Sequence, residues 1–206
     1  MKIFFSLLLA AGISNFAFAN ETSLEVLEEV NLARTCPKQY AQLLAQRMPA
    51  SRELTEAIHF LDKVKPLPPL DFSDGLMLGA QTHVTDQGER GSTGHTGSDR
   101  SRPWDRMARF GRWSGNQGEN ISYGYSDAKK IVATLIVDAG VPNRGHRKNI
   151  FSPQFSLAGI ACGRHTRFGT MCVMDFAGGV ARENTATTLA AADRAGWSSF
   201  DSLRAH

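Results

Sequence analysis

Two histidines and two acids carry the chemistry open to this chain, and turn-forming residues surround them. His95 stands in Gly94-His95-Thr96-Gly97, Glu119 in a Gly118-Glu119-Asn120 turn, and His146 in Arg144-Gly145-His146-Arg147. Asp138 ends an apolar segment between Glu119 and His146. A neutral imidazole ligates divalent cations, and a carboxylate bonded to one ring nitrogen fixes the tautomer and aims the other nitrogen outward. Glu119 and Asp138 can also add to a ligand set with His95 and His146, or, if the chain is an enzyme, serve as the catalytic base on a water.

Each residue has a plainer role to set against that. Glycines let the backbone around His95 approach a pocket, but a turn histidine also bonds its own loop. Glu119 could accept from backbone alone. Asp138 is more telling, because a carboxylate on the buried face of a helix costs several kcal/mol unless partnered. At an exposed helix C-terminus it would oppose the dipole. Arg147 and Lys148 beside His146 favour its neutral form. His83 can line the same region, His59 reads as an ordinary surface or core residue, and His165 as a solvated hairpin residue. His-Glu-x-x-His, Gly-x-Ser-x-Gly, Walker and Gly-x-Gly-x-x-Gly motifs are absent.

The elements that must position these groups follow from periodicity. Apolar steps predict helices over Ser23–Ala33, Tyr40–Met48 and Leu54–Leu61, with a break after Cys36 imposed by Pro37. Asp71–Asp86 reads as a helix, and Gln87–Asn116 as a polar loop interrupted by a short helix at Trp104–Phe110 after Pro103. A polar loop of that length in a compact domain suits a binding or active site. Ala128–Ala139 is predicted helical, capped by Ser126 or Asp127, with Asp138 on its apolar face. Leu157–Arg164 and Met171–Phe176 flank Arg167-Phe168-Gly169 as a hairpin. Helices first, then a loop, a helix and strands, make an α+β domain.

Met1–Ala19 has the basic start, apolar run and Ala17-Phe18-Ala19 ending of a secretory signal cleaved after Ala19. The run is too interrupted to span a bilayer, so no stable membrane span is expected. Export to the periplasm or beyond permits disulfides, and Cys162 and Cys172 flank the hairpin so as to bridge, leaving Cys36 over. A net charge of +3 without a long basic run does not argue for nucleic acid. Arg100, Arg102, Arg106, Arg109 and Arg112 alternate with acids and read as a solvated, salt-bridged loop.

Three ordered motifs, Gly94-His95-Thr96-Gly97, Gly118-Glu119-Asn120-Ile121 and Gly145-His146-Arg147-Lys148-Asn149-Ile150, resemble those of the CAP superfamily, or SCP domains, in its bacterial exported form. Asn31-Leu32-Ala33-Arg34 with Pro37 and Tyr40 is similar too, and the resemblance covers roughly residues 24–179, leaving 180–206 as a tail. It implies an α-β-α sandwich, a small antiparallel sheet between helical layers, with a cleft lined by two histidines and two acids. His95, Glu119 and His146 match three of them. The fourth is commonly Glu, and here Asp138 is one methylene shorter. The resemblance implies a weakly held divalent cation, zinc foremost, and an unidentified protein or lipid-like ligand. The alternatives are a hydrolase and an interaction module in which the four residues only brace loops.

Overall fold

The computed structural model describes residues 21–181. The signal sequence and nearly all of the tail therefore lie outside the described residues. Three helices come first: α1 (Glu21–Thr35), α2 (Pro37–Arg47) and α3 (Arg52–Lys63). The break at Cys36 is as expected, but α2 begins at Pro37 rather than Tyr40. Proline fits the first helical position, where its missing N–H is not needed. Ser51 caps α3 by accepting from the Leu54 amide at 3.0 Å.

The predicted helix start at Asp71 is corrected. Asp71–Phe72 forms a two-residue strand, β1, and Ser73 then caps α4 (Asp74–Arg90) through its hydroxyl. Gly91 ends α4 in the left-handed region at φ 67°. After a loop come α5 (Pro103–Met107) and β2 (Trp113–Tyr123). Strand β2 overruns the predicted loop because its first half is exposed and polar, and only residues 119–122 are buried. Glu119 thus sits on a strand, not in a turn. The chain closes with α6 (Ala128–Val137), α7 (Gly145–Ile150), β3 (Leu157–His165) and β4 (Gly169–Val180). The β3–β4 hairpin is as predicted, and Cys162 and Cys172, register partners within it, form the disulfide. Cys36 is a free, exposed thiol.

The sheet order is β1-β3-β4-β2. All neighbours are antiparallel except the short parallel pair β1–β3. Strand alternation sorts its residues into two layers. Ala158, Ile160, Cys162, Cys172, Met174 and Phe176 join the large core formed with α1, α2, α3 and α6. Ala161, Met171, Val173 and Ile121 face Ala80 and Val84 of α4 instead. The result is the α-β-α sandwich. Helix α4 reaches the sheet only because β3 supplies glycine: a Cβ on Gly159 would stand 2.0 Å from the Met77 amide nitrogen. Among the described residues no helix is long and apolar enough to cross a membrane.

Candidate functional site: two carboxylate-anchored imidazoles

His95 lies in the loop between α4 and α5, and three side chains hold the residue before it. The Gly94 carbonyl accepts from His83 Nε2 at 2.9 Å and Gln87 Nε2 at 2.7 Å, and its amide donates to the Tyr123 hydroxyl at 3.0 Å. Tyr123 in turn donates to Gln87 at 2.8 Å. Gly94 has φ 100°, a conformation that a side chain would strain. His83 is fully buried, and burial holds its imidazole below the ordinary 6.5 against the opposing pull of Glu119. It therefore stays neutral and donates from Nε2 to the carbonyl.

So fixed, His95 turns Nδ1 onto Glu119 Oε1 at 2.7 Å. The acceptor is a carboxylate, so Nδ1 carries the proton and a neutral ring has its Nε2 lone pair free. The other carboxylate oxygen, Oε2, accepts from Arg106 Nη2 at 2.6 Å. Arg106 also donates from Nη1 to the carbonyls of His95 at 3.1 Å and Ser101 at 3.0 Å. The side chains of Arg106 and Glu119 are each 1% exposed, whereas that of His95 is 52% exposed. Arg106 is thus not part of a solvated loop, as its neighbours suggested. Only the outer arginines behave that way, Arg102 pairing with Asp105 and Arg109 with Asp99.

The second pair repeats the chemistry with different support. Helix α6 stops at Val137, two residues earlier than predicted, and Asp138 takes a left-handed conformation as its C-cap (φ 56°, ψ 40°). The acid is therefore aimed by a helix end, not by a helix face. Its Oδ1 meets His146 Nδ1 at 2.7 Å, while Oδ2 accepts from the backbone amides of His146 at 2.9 Å and Arg147 at 3.3 Å. The shorter acid reaches because α7 brings its first-turn amides to it. The carbonyls at the end of α6 are met by arginines. Arg147 donates to Ile136 and Val137, and Arg144 to Asp138 and Val141. Both arginines reach Glu56 of α3, and the Arg144 hydrogen bond is the main force holding that exposed carboxyl down at about 2.

Asparagines tie the two pairs together. Asn149 donates to the Glu119 carbonyl at 3.2 Å and to Asn120 Oδ1 at 2.9 Å, and Asn120 donates to the His146 carbonyl at 3.1 Å. This explains why asparagine accompanies both motifs. Among the described residues no group of three or more His, Cys, Asp or Glu is placed to hold a metal ion. The four predicted residues pair off as two dyads, and all carboxylate oxygens are engaged. The open donor atoms are the two imidazole Nε2 positions.

The remaining histidines fall elsewhere. His165 is buried, not solvated, with Nε2 on the Ser92 carbonyl at 2.8 Å and Nδ1 accepting from the amides of Arg167 and Phe168. His59 is exposed and lines a groove of about 470 Å³ with Glu56, Phe60, Lys63, Val64 and Arg147. His83 was placed in this region from sequence, but its hold on Gly94 with Gln87 and Tyr123, and the roles of Arg106 and Glu56, were not, since nothing local marks a distant partner.

Comparison with known proteins agrees with the motifs. The sequence model of the cysteine-rich secretory protein family, CAP, matches residues 27–176. The uncharacterized protein YkwD of Bacillus subtilis is 28% identical over 112 residues, which are 54% of this chain and 40% of that protein. An extracellular protein of Bacillus anthracis containing an SCP domain is similar in structure (TM-score 0.44, 21% identity, 61% of this chain and 37% of that one). An outer surface protein of Borrelia burgdorferi gives a TM-score of 0.47 at 18% identity, over 63% of this chain and 95% of that one. The chain thus spans less than half the length of the two Bacillus proteins.

Proposed function

Because the chain belongs to the cysteine-rich secretory protein (CAP) family, we propose that it is an exported binding module presenting two carboxylate-anchored imidazoles to a divalent cation or a polar ligand. The observation that carries this reading is the pair of 2.7 Å contacts from Nδ1 to buried carboxylates. Each sets the proton on the inner nitrogen and leaves the outer one as a ligand atom, the arrangement common behind metal-binding histidines. The leader-like Met1–Ala19 and the Cys162–Cys172 disulfide support export, since such bridges persist in oxidising compartments.

The donor set bears on the cation. A closed zinc site takes about four protein ligands, whereas the open donors here are two imidazoles. An ion taken by these two imidazoles would leave its remaining positions to water or to a partner and would exchange readily. Zinc held there would supply Lewis acidity to a ligand oxygen. The groove of about 470 Å³ between α3 and Arg147 of α7, with Phe60 and Val64 in its wall, offers a place for an apolar ligand.

A hydrolase using Glu119 or Asp138 as base is less well supported. Both side chains are 1% exposed and bonded at both oxygens, so neither has a lone pair facing water. Titration calorimetry with zinc tests the binding reading. Weak uptake is expected at about pH 7.5 and loss of it near pH 5.5, where protons compete for the imidazoles. Equal heats for the wild type and the His95→Ala/His146→Ala double variant would refute it.

A further inference from the structure

One buried acid, Asp175, belongs to neither dyad. Asp175 lies on β4 in the row of the sheet that runs from Gly159 on β3 to Glu119 on β2. Its side chain is on the α4 face, between Val173 and Ala177, and the residue is wholly buried. Helix α4 closes over it at Gly79, where a Cβ would stand 3.1 Å from Asp175 Oδ2 and 3.2 Å from the Met107 Cα. Neither oxygen of Asp175 receives a hydrogen bond from a donor among the described residues. Its register partner on β2, Glu119, is another acid, and the two carboxyl groups interact directly.

Two adjoining carboxylates in a dry site cannot both be ionised. The donors decide which one holds the proton. Glu119 receives N–H groups from His95 and Arg106, so it keeps its charge. Asp175 receives none. We propose that Asp175 is a positioning residue that enters the fold as a neutral carboxylic acid and donates its O–H to Glu119. Glu119 then holds three donors, from β4, α5 and the His95 loop, and its orientation toward His95 is fixed from behind.

The charged and titratable groups around Asp175 agree with this assignment. They are Glu119 on β2 and Arg106 on α5; on β3 the register partner is Gly159, and on α4 the residue set against it is Gly79. Arg106 is the one fixed cation and is already spent on Glu119. Burial foremost, then the charge of Glu119, pushes the Asp175 carboxyl well above 3.8. The opposing arrangement is also definite. Arg106 Nε is buried without a partner, and an ionised Asp175 swung onto it would be an ion pair instead.

Three measurements on the mature chain separate these states, whatever the imidazoles bind. The first is the infrared band of a protonated carboxyl at neutral pH in protein labelled at its aspartates. It is expected in the wild type and absent in Asp175→Asn. The second is the folding constant across pH. An acid that stays protonated when folded but ionises when unfolded makes the wild type lose ground to Asp175→Asn, which cannot ionise, by up to tenfold per pH unit above about pH 4. The third is the tautomer of His95 by nitrogen NMR. Asp175→Asn keeps a donor to Glu119 and should preserve Nδ1–H, while Asp175→Leu should give a mixture. The proposal is overturned by a wild type without the band, by a pH-independent ratio of folding constants, or by an unaltered tautomer in Asp175→Leu. If Asp175→Asn does not fold, the infrared band of the wild type decides alone.

Discussion

The two dyads make the same bond in opposite ways. Both set an imidazole Nδ1 on a carboxylate at 2.7 Å, and both carboxylates are 1% exposed. Glu119 is balanced by a side-chain charge, Arg106, brought from another element. Asp138 is balanced by two backbone amides at the start of α7, against the opposing C-terminal end of α6. Charge balance by one cation concentrates the stabilisation in a single residue. Backbone balance spreads it over a turn that the chain forms locally. The imidazoles differ accordingly: the His95 side chain is 52% exposed on a loop, that of His146 25% exposed on a helix.

The largest expected effect tests the concentrated side. Arg106→Met removes the cation that, among the described residues, alone bonds to Glu119, while keeping most of the volume. A buried charge left without its partner costs about 3–5 kcal/mol. Urea unfolding should show a loss of that size, and the loop over residues 97–102 should lose its link to Arg106. A loss below about 1 kcal/mol would mean that Glu119 is not held by charge, and the contrast between the dyads would fail.

Asp138→Ala tests the distributed side and should cost less, about 2–3 kcal/mol, from three lost hydrogen bonds and an alanine forced to positive φ. Asp138→Asn should cost about 1 kcal/mol, because asparagine tolerates the left-handed conformation and keeps an oxygen for the α7 amides. The readout is chemical denaturation together with the nitrogen NMR tautomer of His146. If alanine and asparagine cost the same, the backbone amides are not what holds Asp138.

The difference also decided what could be read from sequence. The α-β-α layering and the hairpin were legible because periodicity and turn residues are local. Asp138 was legible as a partnered acid, since its neighbours are apolar and His146 follows within one turn and one short loop. Its conformation was not, because a helix that stops at Val137 and one that runs to Ala139 share the same apolar pattern. Strand β2 was hidden by residues 114–117, which are polar because they lie on an exposed sheet edge. Arg106 was hidden among arginines that do face solvent. Its burial depends on Glu119 and on two carbonyls, contacts fixed only once α5 docks. Asp175 sits in an apolar run that reads simply as strand.

Acid should separate the two sides by the smallest margin. His83 holds Gly94 and hence the His95 loop, and burial lowers its pKa from 6.5. Below 6.5 the unfolded chain takes up a proton that the folded chain refuses. Stability is therefore complete above that value and falls as pH drops through it, by at most about 1.4 kcal/mol per pH unit. Glu56 behaves differently. The Arg144 bond depresses its pKa to about 2, so its contribution is present above the unfolded value and is lost only as pH falls toward 2. Its side chain is 44% exposed, which limits that contribution to roughly 0–1 kcal/mol. Relative to the wild type, His83→Gln should gain in melting temperature as pH falls from about 7 to 5, because its amide can donate to Gly94 without titrating, and the comparison cancels the opposite slope that Asp175 gives both proteins. Glu56→Gln should follow the wild-type slope across that window, displaced by a small constant. A gain relative to the wild type in Glu56→Gln, or none in His83→Gln, would place the acid sensitivity on the α7 side of the molecule and reverse the comparison.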